Sequence, residues 1–461
     1  MISGINSFNT VNNVLKVPGA NTVAVPFSAT SNPIKHQGQA QAAYSHLVSF
    51  SAQLSASDEK MYTELTKMLA TANPSDLHIT EGDISPTKKL DTLLKNGKLL
   101  DRSSSDKSST LENLYKMATT PRLNNINNTK FLAEAVCILH NPASITQKFG
   151  DIPLKEKYAM LTNPNTAQEA RAKMKEMDVE YSGTCVAASI EFSLANKRPA
   201  EFARFAQGLS SEKGSVEHTV QMKSLSSNPL DAIWLINAFE MEPREFSFDK
   251  VKFELKPDKN AHKRVMIQNE NWDPGERKML DVLMQATFMQ IGSQQAYCSL
   301  TDTHTSKFNS NPQGLTEFEK TFVESVVRDR EKFSIVYQVV DEDQTLLGHK
   351  KPASIIEKNI KTAIDKGDDV IVGYVTVDSA NKIEGGHEIT IMDYKTDQNG
   401  KTTFICNDTD NDKSELVEYS ADYILPKIHH AGYSSDLVKN CPDLWALLND
   451  SDCSNHIPLA A

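Results

Sequence analysis

The chain has 461 residues, 49 Lys+Arg against 60 Asp+Glu, a net charge of -11 and a mean hydropathy of -0.43. That length allows two or three cores, and the acidic balance without a long basic run argues against nucleic acid as the partner, since phosphate backbones are bound by clustered Lys and Arg. The six cysteines have neither CxxC nor Cys/His metal-ligand spacing, so they read as free thiols of a reducing compartment.

Residues 1–55 are rich in Asn, Ser, Ala and Gln with weak periodicity and read as a disordered arm. Met1 to Ser7 carries no basic n-region, and no later stretch reaches the ~20 apolar residues of a membrane span. The expectation is a protein without membrane insertion, cytoplasmic or exported by a non-Sec route. Residues 56–178 read as a helical domain. Met61, Leu65, Met68 and Leu69 share one helix face that stops near Asn73-Pro74; a helix from Thr87 to Lys95 stops at Asn96-Gly97. Ser109-x-x-Glu112 reads as a capping box, Phe131, Ala135, Ile138 and Leu139 as a further apolar face, and Ala167–Met177 as a polar helix. Structural support is the simplest role for this region, with shielding of a downstream site as the alternative.

Residues 179–435 read as the functional domain, with an insertion around 205–325 and a C-terminal tail carrying a short helix over 436–461. Turn-forming Tyr181-Ser182-Gly183 precedes Cys185, and Val186, Ile190 and Leu194 then lie on one helix face. Helical patterns follow over Pro199–Gln207, Leu230–Phe239, Arg277–Ile291 and Thr316–Val327, broken by the alternation Phe246, Phe248, Val251, Phe253, Leu255 of a hairpin. Phe333–Val340 reads as a strand, Ile355–Ile364 as a helix and Val370–Val377 as a buried strand. Next comes a hairpin headed by His387 that turns at Gln398-Asn399-Gly400 and ends at Asn407-Asp408. Strands concentrated after a helical half make the class α+β.

Three residue types in this order carry a chemistry. A thiol in the first turn of a helix gains from the helix dipole and, with an imidazolium beside it, becomes a nucleophile. Cys185 has that position, although a lone buried Cys is more often a core thiol. His387 heads a strand after two glycines, which allow close backbone approach. Asp408 or Asn407, at the end of the next strand, is placed to orient its ring.

Gly183-Thr184-Cys185-Val186-Ala187-Ala188-Ser189 is similar to the Gly-Ser-Cys-Trp-Ala-Phe-Ser motif of papain-like cysteine peptidases. The run Val370-Ile371-Val372-Gly373-Tyr374, then Gly386-His387-Glu388-Ile389, then Cys406-Asn407-Asp408 resembles that superfamily's barrel half, in its bacterial Cys-His-Asp/Asn form. The resemblance covers roughly 180–195 and 330–412. It implies a papain-like fold, with a helical half plus an antiparallel β-barrel half preceded by the helical domain. It also implies Cys185 as nucleophile, His387 as general base and acid, Asp408 or Asn407 as orienting residue, and the backbone N–H of Cys185 as an oxyanion donor. The implied reaction is hydrolysis of a protein or peptide through an acyl-enzyme, with no metal or organic cofactor. Deamidation or transglutamination on the same fold, and an inactive module that binds or scaffolds, are the alternatives. Oligomeric state is not legible.

Three positions depart from the pattern. Val179 stands where the superfamily has a Gln that completes the oxyanion hole, Val186 replaces the bulky aromatic after the nucleophile, and the Cys-to-His spacing exceeds the roughly 130–150 residues of plant-type members. Asp408-x-Asp410-x-Asp412 begins like a calcium loop, but Lys413 and Tyr419 occupy its Gly and Glu positions, so it reads as a solvated acidic turn. His429-His430 reads as a surface pair.

Overall fold

The computed structural model describes residues 54–72, 77–78, 84–148, 182–411 and 413–449. The expected arm over 1–55 (except its last two residues), the Asn73-Pro74 stop, the helix over Ala167–Met177, Val179 and the tail beyond 449 lie outside them.

Four helices open the described chain: α1 (Ala56–Thr71), α2 (Pro86–Lys95), α3 (Thr110–Thr119) and α4 (Asn128–His140). Ser109 and Glu112 form the reciprocal capping box that starts α3. The helices α5 (Cys185–Lys197) and α6 (Pro199–Leu209) follow. Then come β1 (Val216–Gln221), α7 (Pro229–Ala238), β2 (Pro243–Phe246), β3 (Lys250–Leu255), α8 (Ala261–Asn271), α9 (Met279–Gly292) and α10 (Glu317–Arg328). The expected hairpin is the β3–β2 part of a three-stranded sheet in the order β1-β3-β2. One hydrophobic core runs from Leu65 of α1 through Phe131 of α4, Val186 of α5 and Phe288 of α9 to Val326 of α10. α5 is buried from Cys185 to Ala195, the state of a helix that is apolar on every face.

The second half consists of β4 (Lys332–Val336), β5 (Gln338–Val340), β6 (Leu346–His349), α11 (Ala353–Asp365), β7 (Val370–Val377), β8 (Ile383–Thr396), β9 (Thr402–Asp408), β10 (Val417–Ser420), α12 (Ala421–Ile424), β11 (Ile428–Ser434), α13 (Ser435–Asn440) and α14 (Pro442–Leu448). Six strands form one antiparallel sheet in the order β10-β9-β8-β7-β11-β4. This corrects the expected barrel. Closure requires the two outer strands to pair with each other, and β10 and β4 do not. β10 is four residues long and pairs only with β9, while α10 and α14 pack on β4 at the opposite edge. The class is α+β with an open sheet.

The expected strand over Phe333–Val340 divides at Tyr337: β4 joins the large sheet, and β5 pairs with β6 in a separate ribbon. β11 is inserted between β7 and β4 with all seven residues buried. His429 and His430 are therefore interior, not surface. Side chains alternate across the sheet. Ile371 of β7 belongs to the helical core, whereas Val370, Val372, Ile389 and Ile391 join a second core with Ile356 and Ile360 of α11.

Candidate functional site

The turn before α5 is built by long-range contacts. The backbone N–H and hydroxyl of Ser182 both donate to the carbonyl of Gln147, at 3.0 Å each. Thr184 Oγ1 donates to Gln285 Oε1 of α9 at 2.8 Å. A Cβ on Gly183 would lie 2.7 Å from the backbone nitrogen of Gly314, so only glycine lets the 313–314 loop approach here. Cys185 is the first residue of α5, and no side chain caps that helix. Its leading N–H groups stay directed at the space around the thiol, the positive end of the dipole.

His387 sits on β8 opposite Tyr374 of β7, whose ring meets the imidazole edge-on at 5.6 Å. The turn at Asp397–Lys401, with Gly400 at φ +80°, sets the register of β8 and β9 so that Asp408 lies across from Ile389. Asp408 thereby shares a sheet face with His387, and His387 Nε2 is 2.8 Å from Asp408 Oδ1. Asp408 Oδ2 accepts the hydroxyl of Tyr419 at 2.6 Å, and Oδ1 also accepts the backbone N–H of Asp410 at 3.1 Å. Asn407 points to the opposite face, where both atoms of its buried amide lack a partner among the described residues. The carboxylate, not the amide, holds the ring.

Burial opposes the charged imidazole of His387, but the carboxylate of Asp410, then Tyr374 and Asp408, outweigh it, and the pKa rises well above the usual 6.5. Burial likewise opposes the Asp408 carboxylate, yet the facing imidazolium and the Tyr419 hydroxyl hold it below 3.8. His387 Nδ1 takes part in no hydrogen bond among the described residues.

α5 and β8 touch one turn further along the helix. Ser189 Oγ donates to the carbonyl of Glu388 at 3.4 Å and Thr390 Oγ1 to the carbonyl of Ser189 at 3.5 Å. This contact lies on the face of β8 that carries Glu388 and Thr390, opposite to the face of His387, so it seats α5 on the sheet without bringing Cys185 to the imidazole. No hydrogen bond links the Cys185 thiol to His387, and Cys185 is only 3% exposed. The structure thus pairs His387 with Asp408 and shows no contact of Cys185 with either.

Two residues near the pair went unrecognised in the sequence. Asp410, expected in a solvated turn, places Oδ2 3.7 Å from His387 Nε2; Asp412 of the same pattern lies outside the described residues. Gln147 donates its side-chain amide to Asp410 Oδ1 and its backbone N–H to the carbonyl of Thr409 at 3.0 Å. The spacing of the aspartates pointed to Asp410, but nothing local singles out Gln147. Gly385, expected to permit close approach, has room for a Cβ, 3.8 Å from Thr376 Oγ1. The tight glycine is Gly373, where a Cβ would lie 2.2 Å from His430 Cε1 and 2.7 Å from Glu388 Oε1.

Among the described residues no helix is long and apolar enough to cross a membrane. No protein-family model and no curated protein matches this chain.

Proposed function

We propose that this chain is a thiol-dependent hydrolase of peptide bonds, related to the papain-like superfamily by its Cys185, His387 and Asp408 motifs, on an open sheet. The single observation that carries the reading is the buried His387–Asp408 pair, whose turn Gln147 ties, through Asp410 and Ser182, to the start of the helix that Cys185 heads. Cys185 gives its proton to His387 Nδ1, and the thiolate bonds to the scissile carbonyl carbon. The C–N bond then breaks as His387 protonates the leaving amine. Water, deprotonated by the same ring, releases the acid and regenerates the thiol. Asp408 keeps Nε2 protonated so that Nδ1 is the working nitrogen.

A second reading has its own support. Burial of Cys185 to 3% exposure is the ordinary state of a core thiol, and an inactive module that binds a partner would show it too. Alkylation with iodoacetamide near pH 6, located by peptide mapping in the native chain and in His387→Ala, separates the two. Selective labelling of Cys185 that vanishes in the variant supports the hydrolase. Labelling no faster than at the other cysteines overturns it.

A further inference from the structure

His387, Asp408 and Asp410 have a geometry that a catalytic pair alone does not require. One atom of each, Nε2 and two carboxylate oxygens, lie within 4.8 Å of one another. Two of the edges are 2.8 Å (to Asp408 Oδ1) and 3.7 Å (to Asp410 Oδ2). Ligands about 2.0–2.2 Å from a tetrahedral Zn2+ stand roughly 3.3 Å apart, so small side-chain shifts would admit an ion. We propose that these three residues form a binding site for a divalent transition-metal ion of the zinc class, which blocks the thiol chemistry while it is bound. The regulatory half rests on the hydrolase reading; the binding half does not.

The carboxylates are oriented for this from outside the cluster. Asp408 turns Oδ1 to the ring while Tyr419 holds Oδ2 at 2.6 Å, and Asp410 turns Oδ2 to the ring while the amide of Gln147 holds Oδ1. Hydrogen bonds that anchor the far oxygen of each ligating carboxylate are the usual support of a metal site. A second observation points to an ion with its water. Gln147 is 4% exposed, and its Oε1 has no hydrogen-bond partner among the described residues. The acceptor belongs to the same amide that touches Asp410, where a metal-bound water would be its donor. The side chain of Asp410 is 42% exposed, which leaves an entry path on that flank. One imidazole nitrogen and two carboxylate oxygens suit Zn2+ better than the all-oxygen shell of Ca2+.

Binding puts the metal on Nε2 in place of its proton, which passes by way of solvent to Nδ1. The one remaining ring proton then sits on Nδ1, so the ring cannot accept the proton of Cys185. Base catalysis stops until the ion leaves.

The test is calorimetric titration of Zn2+ into the full chain carrying Cys185→Ala, which removes the candidate nucleophile, alone and combined with Asp410→Asn or Gln147→Leu. One ion per chain is expected, with affinity reduced about tenfold or more by either added change. Circular dichroism reports whether each variant is folded. No binding, or binding that folded Asp410→Asn leaves unchanged, overturns the site. In the native chain, saturating Zn2+ should slow alkylation of Cys185 at least tenfold and should not do so in Asp410→Asn. Unchanged alkylation with the ion bound overturns the blocking role. If Cys185 fails to label selectively even without metal, the hydrolase reading and the blocking role fall together, and calorimetry alone decides the site.

Discussion

Neighbouring residues of one strand, His387 and Glu388, enter two buried charged clusters on opposite faces of the sheet, and the clusters differ in kind. Glu388 is met by Lys320 of α10 at 3.2 Å and by His430 Nε2 of β11 at 2.6 Å, with every member at most 2% exposed at its side chain. Burial opposes its charge, but Lys320 and then His430 keep the carboxylate below its usual 4.5. This cluster is sealed, and it fastens α10 to the sheet. The His387 cluster opens to solvent through Asp410 and leaves Nδ1 uncommitted. Satisfied and closed charges hold two layers in register; a pair with one free nitrogen and one open flank can do chemistry. The difference lies in which groups are left over, not in the strength of the pairing.

The sharpest break of this comparison is His387→Ala. A general base contributes on the order of 10²–10⁴-fold, so Cys185 reactivity should fall by that factor while the chain stays folded by circular dichroism. Lys320→Met should do the reverse. It takes the buried lysine from Glu388 and leaves the carboxylate with His430 alone, at a cost of up to about 3–5 kcal/mol, read as a lowered urea midpoint. Lys320→Met with Glu388→Leu should recover much of that loss, because the stranded charge is gone. A double variant as unstable as the single one would mean that the sealed cluster does more than hold layers together.

Gly373→Ala tests the packing of the sealed cluster. Its Cβ would overlap His430 and Glu388, and overpacking of this kind costs about 1–3 kcal/mol. Unchanged thermal unfolding would show that His430 has room to move. The smallest effect is a pH dependence. The folded pKa of His387 is raised, so its stabilisation is complete below 6.5 and fades as pH rises through the folded value. That of Asp408 is lowered, so its stabilisation is present above 3.8 and is lost as pH falls through the folded value. The Tm difference between the native chain and His387→Gln should be greatest between 3.8 and 6.5 and shrink on both sides. A difference that grows steadily above pH 7 would contradict the ion pair.

What could be read from the sequence was local. Ser109 and Glu112 announce their helix start, Asn399-Gly400 announces a turn, and that turn carries Asp408 to His387 across two adjacent strands. Where a strand joins a distant partner, the pattern is silent. His429-His430 looks polar, yet β11 lies deep in the sheet, where His430 Nε2 meets the Glu388 carboxylate, remote in sequence. Gln147 meets Asp410 for the same kind of reason, through a contact between segments far apart in the chain. The barrel failed as an expectation because closure depends on how two edge strands end, and β10 and β4 carry no local signal of it.

The core that runs unbroken from α1 to α10 bears on maturation. α3 packs on α6, and α4 packs on α5, α6 and α9, so Leu114 and Phe131 are covered by the same elements that carry and support Cys185. A protease that removed residues 54–140 would strip apolar cover from the helix bearing the thiol. This segment therefore cannot act as a detachable pro-region that is cut away to switch the protein on. Cleavage there would be an off-switch, and any activating cut must fall elsewhere in the chain.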